Sequence, residues 1–165
     1  MVPLRFISEA FGLTVNYKDN RIDINFPKIK VNNTAVASIQ SQYWMTMGSV
    51  ISESKNNICI SRIYDVLDRA KTKEILEPSL FGHYNSLDIP EVYNLSGKYC
   101  FTDNTNNIVE QYEIYYEASY GMNTGVYILR DVTNSKWHSF TQEAIYDILE
   151  LEKLGDWHII SNTVV

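Results

Sequence analysis

The stretch from Tyr112 to Tyr120 constrains this chain most. Tyr112, Ile114, Tyr116, Ala118 and Tyr120 alternate with Glu113, Tyr115, Glu117 and Ser119. Strict alternation over that length is the period of a half-buried β-strand, with one row of side chains on a core and the other toward solvent. A strand with one wet face belongs to an antiparallel sheet, because parallel strands are covered on both sides.

The surrounding residues extend the pattern. Lys98 to Phe101 and Ile108 to Tyr120 read as strands, a Gly121-to-Gly125 turn leads to a strand over Val126 to Val132, and Thr133-Asn134-Ser135 turns again into Trp137 to Phe140. Thr141 is an N-cap candidate for a helix that runs to Leu154 and stops at Gly155, and Trp157 to Ser161 closes as a strand. The second half is therefore an antiparallel meander plus one helix, which makes the chain α+β.

The first half is less regular. Leu4, Ile7, Ala10 and Phe11 form an apolar stripe on a short helix after Pro3, and Gly12 suits the position past its end. Val15 and Tyr17, then Ile22, Ile24 and Phe26, alternate around a Lys18-Asp19-Asn20 turn, which is a β-hairpin. Residues 28–58 predict loosely patterned strands over Ala35 to Ile39 and Tyr43 to Met47, then a polar loop from Ser52 to Asn57. Ser61 offers an N-cap to an amphipathic helix through Ile63, Val66, Leu67 and Ala70. Prolines 78 and 90 and glycines 82 and 97 mark an irregular connection. The expected division is 1–27, a helix-hairpin; 28–82, a mixed segment; and 83–165, the sheet with its helix, the three forming separate units or one integrated domain. At 165 residues the chain is long enough to bury about 70% of its unfolded surface without a staple.

Residues 1–26 carry a resemblance. Met1-Val-Pro-Leu-Arg-Phe-Ile-Ser-Glu-Ala-Phe-Gly-Leu-Thr-Val-Asn-Tyr followed by Arg21-Ile-Asp-Ile-Asn-Phe resembles the copper amine oxidase N-terminal-like domain, the stalk domain of bacterial surface proteins. The family's preceding strands have no counterpart here. The resemblance implies an extracellular or cell-envelope α+β module that spaces or docks other domains and has no catalytic activity.

Charge narrows the partners. Residues 1–82 hold 10 basic and 8 acidic groups, whereas 83–165 hold 4 and 12, giving a net of -6. Nucleic acid needs clustered cations that the second half lacks, and anionic membranes are disfavoured likewise. Membrane insertion is not expected, since no apolar run approaches the roughly 20 residues a spanning helix needs. Arg69, Lys71 and Lys73 read as the solvated end of a helix. Cys59 and Cys100 sit among apolar neighbours and read as buried free thiols, with a disulfide between them as the alternative in an exported chain.

The candidate chemistry is thin. Copper chemistry would want His-x-His ligands, and His83, His138 and His158 are widely separated. Glu143, Asp147 and Glu150 share one helix face opposite Ala144, Ile145, Ile148 and Leu151, so they read as the solvated side. Nucleophile and phosphate-loop motifs are absent. No catalytic residue, cofactor or metal is therefore expected. The aromatic second half, with nine of 12 tyrosines from Tyr84 onward, offers one candidate surface. Tyr115 among acids, Tyr127 across the hairpin, and Trp137 would form a platform for a sugar ring or a protein partner. The expected function is a non-enzymatic structural or protein-interaction module with self-association or a protein partner. The alternative is a cell-wall carbohydrate or small-ligand binding domain.

Overall fold

The computed structural model describes residues 13–45, 47–78, 92–119 and 122–164. Strands β1 (Thr14–Lys18) and β2 (Arg21–Asn25) pair with Lys18 opposite Arg21, and Asp19 and Asn20 at the turn take left-handed backbone angles (φ 49° and 61°). Asp and Asn tolerate that region because their short side chains bond locally. The pairing puts Val15, Tyr17, Ile22 and Ile24 on one face, where Val15 is buried and the other three are exposed. β3 (Lys30–Val31) and β4 (Thr34–Ala35) follow around Asn32-Asn33, again with positive φ at both turn residues.

The remaining strands are β5 (Ser38–Met45), β6 (Gly48–Ser54), β7 (Glu74–Ile75), β8 (Val92–Thr102), β9 (Ile108–Ser119), β10 (Met122–Asp131), β11 (Lys136–Phe140) and β12 (His158–Asn162). They form one antiparallel sheet in the order β12-β6-β5-β8-β9-β10-β11-β7. Strands from both sides of residue 82 hydrogen-bond into it, through β5 against β8. Helices α1 (Asn57–Ala70) and α2 (Gln142–Glu152) belong to the core on one side of the sheet. Ile60, Ile63 and Leu67 of α1 and Ile148 of α2 join Ile39, Phe101, Tyr112, Ile114 and Leu129 of the sheet. The fold is thus α+β, with two helices among the described residues and a large antiparallel sheet.

Several expectations change. The helix expected over Leu4 to Phe11 lies outside the described residues. Among those described, the first helix follows six strands instead of preceding the first hairpin. α1 starts at Asn57 rather than after Ser61, because the Asn56 carboxamide oxygen accepts from the backbone of Ile58 (3.0 Å) and Cys59 (3.3 Å). Removing the cap with Asn56→Ala should cost about 1 kcal/mol in urea denaturation. Ser52 to Ser54, expected as loop, complete β6, whose partner β12 lies about a hundred residues downstream. Met122 to Gly125, expected as a turn, belong to β10, with Gly125 (φ 80°) inside a register shift.

Candidate functional site

The three aromatic residues singled out from sequence do not form one platform. Pairing of β9 with β10 begins at Ser119 opposite Met122, and its register sets Tyr127 opposite Tyr116 and Ile128 opposite Tyr115. Tyr127 therefore lies on the core face, packed against the buried cluster. A five-residue turn from Gly121 to Gly125 would have given the other parity. One residue of register reverses the face of every side chain.

Tyr115 and Trp137 do meet. Their ring centroids are 5.5 Å apart, and the Arg130 guanidinium sits 5.3 Å over the Trp137 ring. Arg130 Nη1 reaches Glu113 Oε2 at 3.3 Å, and the Tyr115 hydroxyl donates to the same oxygen at 2.8 Å. Burial and that carboxylate push the Tyr115 phenol up to about 12. Trp137 is only 5% exposed, so its ring is spent on packing rather than offered to solvent. The group works as a brace across β9, β10 and β11.

A second polar group lies on the core face. The Lys71 ammonium donates to Glu110 Oε1 at 2.6 Å and stands 3.7 Å from Asp131 Oδ2. It also lies 5.2 Å from the Tyr112 ring centroid. Tyr112 donates its hydroxyl to Glu110 Oε1 at 2.6 Å, and Asp131 accepts from the backbone and side chain of Asn134. Burial alone would lower the Lys71 pKa, but the Glu110 carboxylate overrides it and holds it above its ordinary value. Lys71 was expected to be solvated. It bends inward instead because two buried carboxylates need a counter-charge.

His138 completes this neighbourhood. It is 2% exposed, and neither ring nitrogen has a hydrogen-bond partner. Burial lowers its pKa against the opposing pull of Asp131 and Glu74, with Lys136 and Lys71 adding to the lowering. His138 therefore takes up its proton at a lower pH in the folded chain than in the unfolded chain, which protonates near pH 6.5. The unfolded state binds the extra proton first, so this group makes stability fall as pH drops below about 6.5. His138→Leu should therefore flatten the pH dependence of the urea midpoint between pH 7 and 5.5. An unchanged slope would remove His138 as its source.

A third group sits below the end of α2. The Glu152 carboxylate accepts from Tyr99 (2.9 Å), Ser41 (3.3 Å) and Tyr43. Burial first, and then Glu152, raise the Tyr43 phenol well above its ordinary range. Both cysteines are free and buried, and burial pushes the Cys59 thiol up to about 11 and raises Cys100 as well. A thiol so shifted is a poor nucleophile.

Among the described residues no three His, Cys, Asp or Glu side chains converge as a metal site. His138 on β11 and His158 on β12 lie toward opposite edges of the sheet, and His83 lies outside the described residues. Glu143, Asp147 and Glu150 are exposed. Asp147 and Glu150 face Arg62 and Arg69 across an open cleft of about 520 Å³ between the helices. No described helix is long and apolar enough to cross a membrane.

The sheet edges differ from each other. At one end β7 is two residues long, and its Glu74 is tied to Lys136 at 2.7 Å. At the other end β12 pairs only with β6 among the described residues, and it carries two exposed consecutive isoleucines, Ile159 (63%) and Ile160 (46%). A register shift between Ile159 and Ser161 breaks the alternation there. Beyond it Thr163 bonds Ser49, and a Cβ at Gly48 would stand 2.5 Å from the Thr163 carbonyl oxygen. Glycine at 48 lets the C-terminal segment lie flat against the β5–β6 turn. Sequence gave no sign that β12 is an edge, since strand order is a tertiary property. No family model, curated protein or solved structure matches the chain.

Proposed function

We propose that the chain is a non-enzymatic structural or protein-interaction module of a bacterial cell-surface protein, located outside the cell or in its envelope. The observation that carries this reading is the β12 edge. It is a five-residue strand without an acidic or basic residue other than His158, it exposes Ile159 and Ile160, and among the described residues it pairs with no strand but β6. Natural sheets blunt such edges with charge, brevity or a β-bulge; β7 is two residues long and ion-paired, whereas β12 has only its register shift and leaves both isoleucines exposed beside it. The polar groups of the interior act as braces: each carboxylate in them is taken up by a hydroxyl or a cation. The stalk-domain resemblance of residues 1–26 supplies the extracytoplasmic setting.

The carbohydrate-binding reading drew on Tyr115, Tyr127 and Trp137 as one platform. With Tyr127 on the core face and Trp137 packed, it loses that support.

A photo-crosslinking benzophenone residue placed at 159, and separately at exposed position 146 on α2, tests the proposal in cells that make the chain. Position 159 should give protein adducts and position 146 should not. Adducts at neither position, or equally at both, would overturn the edge as the working surface. Saturable calorimetric binding of a cell-wall oligosaccharide would transfer the function to the second reading.

A further inference from the structure

We propose that Lys71 condenses with Asp131 into an intramolecular isopeptide bond, with Glu110 carrying the protons. The inference is independent of the β12 edge, so the failure of one leaves the other untouched. An amine and a carboxyl join as an amide when they are held in contact, shielded from bulk water and served by a proton carrier. These conditions meet here. The Lys71 ammonium lies just past α1, 3.7 Å from Oδ2 of Asp131, the last residue of β10. Asp131 and Glu110 are 1% and 2% exposed. The Tyr112 and Tyr64 rings stand 5.2 Å and 5.9 Å from the ammonium, and fully buried Phe101 packs edge-on against both. Inside such a shell two charges are costly to hold, and the amide that replaces them is neutral. The more exposed Asp68 also meets the ammonium, at 3.2 Å.

The hydrogen bonds divide the roles of the two buried carboxylates. Asp131 Oδ1 accepts from the Asn134 backbone N–H at 3.0 Å, and Oδ2 accepts from the Asn134 carboxamide at 2.8 Å. An N–H so placed holds the negative charge that develops on Oδ1 when an amine attacks the carboxyl carbon. Glu110 has no such donor from the backbone. Its Oε1 takes the Lys71 N–H at 2.6 Å, and its Oε2 is buried with no hydrogen-bond partner, which leaves an oxygen free to carry a proton. The carboxylate that raises the Lys71 pKa is thus also the base that deprotonates it. In the step, Glu110 accepts a proton from the ammonium, and the freed Nζ lone pair attacks Cγ of Asp131. The Nζ–Cγ bond forms and the Cγ–Oδ2 bond breaks. Oδ2 leaves as water with two protons that began on Nζ and passed through Glu110, and nothing is oxidised or reduced. Glu110 ends as the carboxylate it was, accepting from the new amide N–H and from Tyr112. The bond would tie the end of α1 to the end of β10, a strap that denaturant does not release.

The full chain, purified, held at neutral pH and then unfolded in urea, should have a mass one water lower than its sequence requires. A protease digest should contain a branched peptide joining Lys71 to Asp131. Lys71→Arg keeps the positive charge but offers no amine, so it should keep the full mass. Glu110→Gln should lose water about a hundredfold more slowly or worse, because the proton carrier is gone. Circular dichroism matching the parent chain confirms that each variant is folded, and the parent's own mass decides the matter if one is not. A parent chain that keeps its full mass overturns the proposal. So does a branched peptide that joins Lys71 to Glu110 or Asp68 instead, and so does a folded Glu110→Gln chain that condenses at the parent's rate.

Discussion

Replacing Lys71 with methionine should be among the most damaging single changes, lowering unfolding free energy by about 3 kcal/mol or more in urea. The methionine keeps the length of the stem but removes the charge that Glu110 and Asp131 share. Glu110 Oε2 already lacks a partner, so without Lys71 that carboxylate would keep hydroxyl contacts such as that from Tyr112 but lose its counter-charge. A buried charge stripped of its counter-ion pays most of its desolvation. Adding Glu110→Gln to Lys71→Met should recover part of the loss, since a neutral amide is cheaper to bury than an unpaired carboxylate. A loss below about 1 kcal/mol would mean that the pair is solvated in solution.

Phe101→Ala should cost a similar amount, about 3–5 kcal/mol, by opening a cavity in the centre of the sheet. Phe101 is fully buried on β8, and its ring meets Tyr64 of α1 edge-on at 5.3 Å and Tyr112 of β9 at 6.1 Å. It thereby links the helix to the sheet. Lys71 lies close to the same two tyrosine rings, at 5.9 Å and 5.2 Å. The two substitutions share neighbours, so their effects should not add, and the double variant should depart from the sum by about 0.5–3 kcal/mol. Strict additivity would show that the aromatic contact and the ion pair act independently.

The strands of the second half were legible because each advertises itself locally. Alternation marks β9, turn chemistry at Thr133 to Ser135 separates β10 from β11, and Thr141 caps α2 through its hydroxyl to Ala144. The first half was less legible because its signals conflict. Gln40-Ser41-Gln42 interrupts β5 with polar residues, yet Ser41 is buried against Glu152 and Ser38 is bonded to Glu53 at 2.8 Å and to Thr102 at 2.6 Å. A polar residue satisfied by a partner far along the chain looks like a loop residue when only its neighbours in sequence are visible.

The candidate site was less legible than the fold. Tyr115 and Trp137 could be placed on one face, but the side on which Tyr127 falls depends on hairpin register, which composition does not encode. Lys71, Glu110 and Asp131 carry no local mark of burial. They come together because β9, β10 and the end of α1 converge in space across sequence separations of up to 60 residues.

What the sequence determined by itself was the class of fold and the period of most elements. Those depend on backbone geometry and on the apolar pattern within a dozen residues. Only the tertiary structure decided the strand order, the register that separates Tyr127 from Tyr115, the inward turn of Lys71, and the position of His158 to Asn162 at one end of the described sheet. Each of these depends on contacts between distant segments, where burial and the pairing of backbone groups override what a segment shows alone.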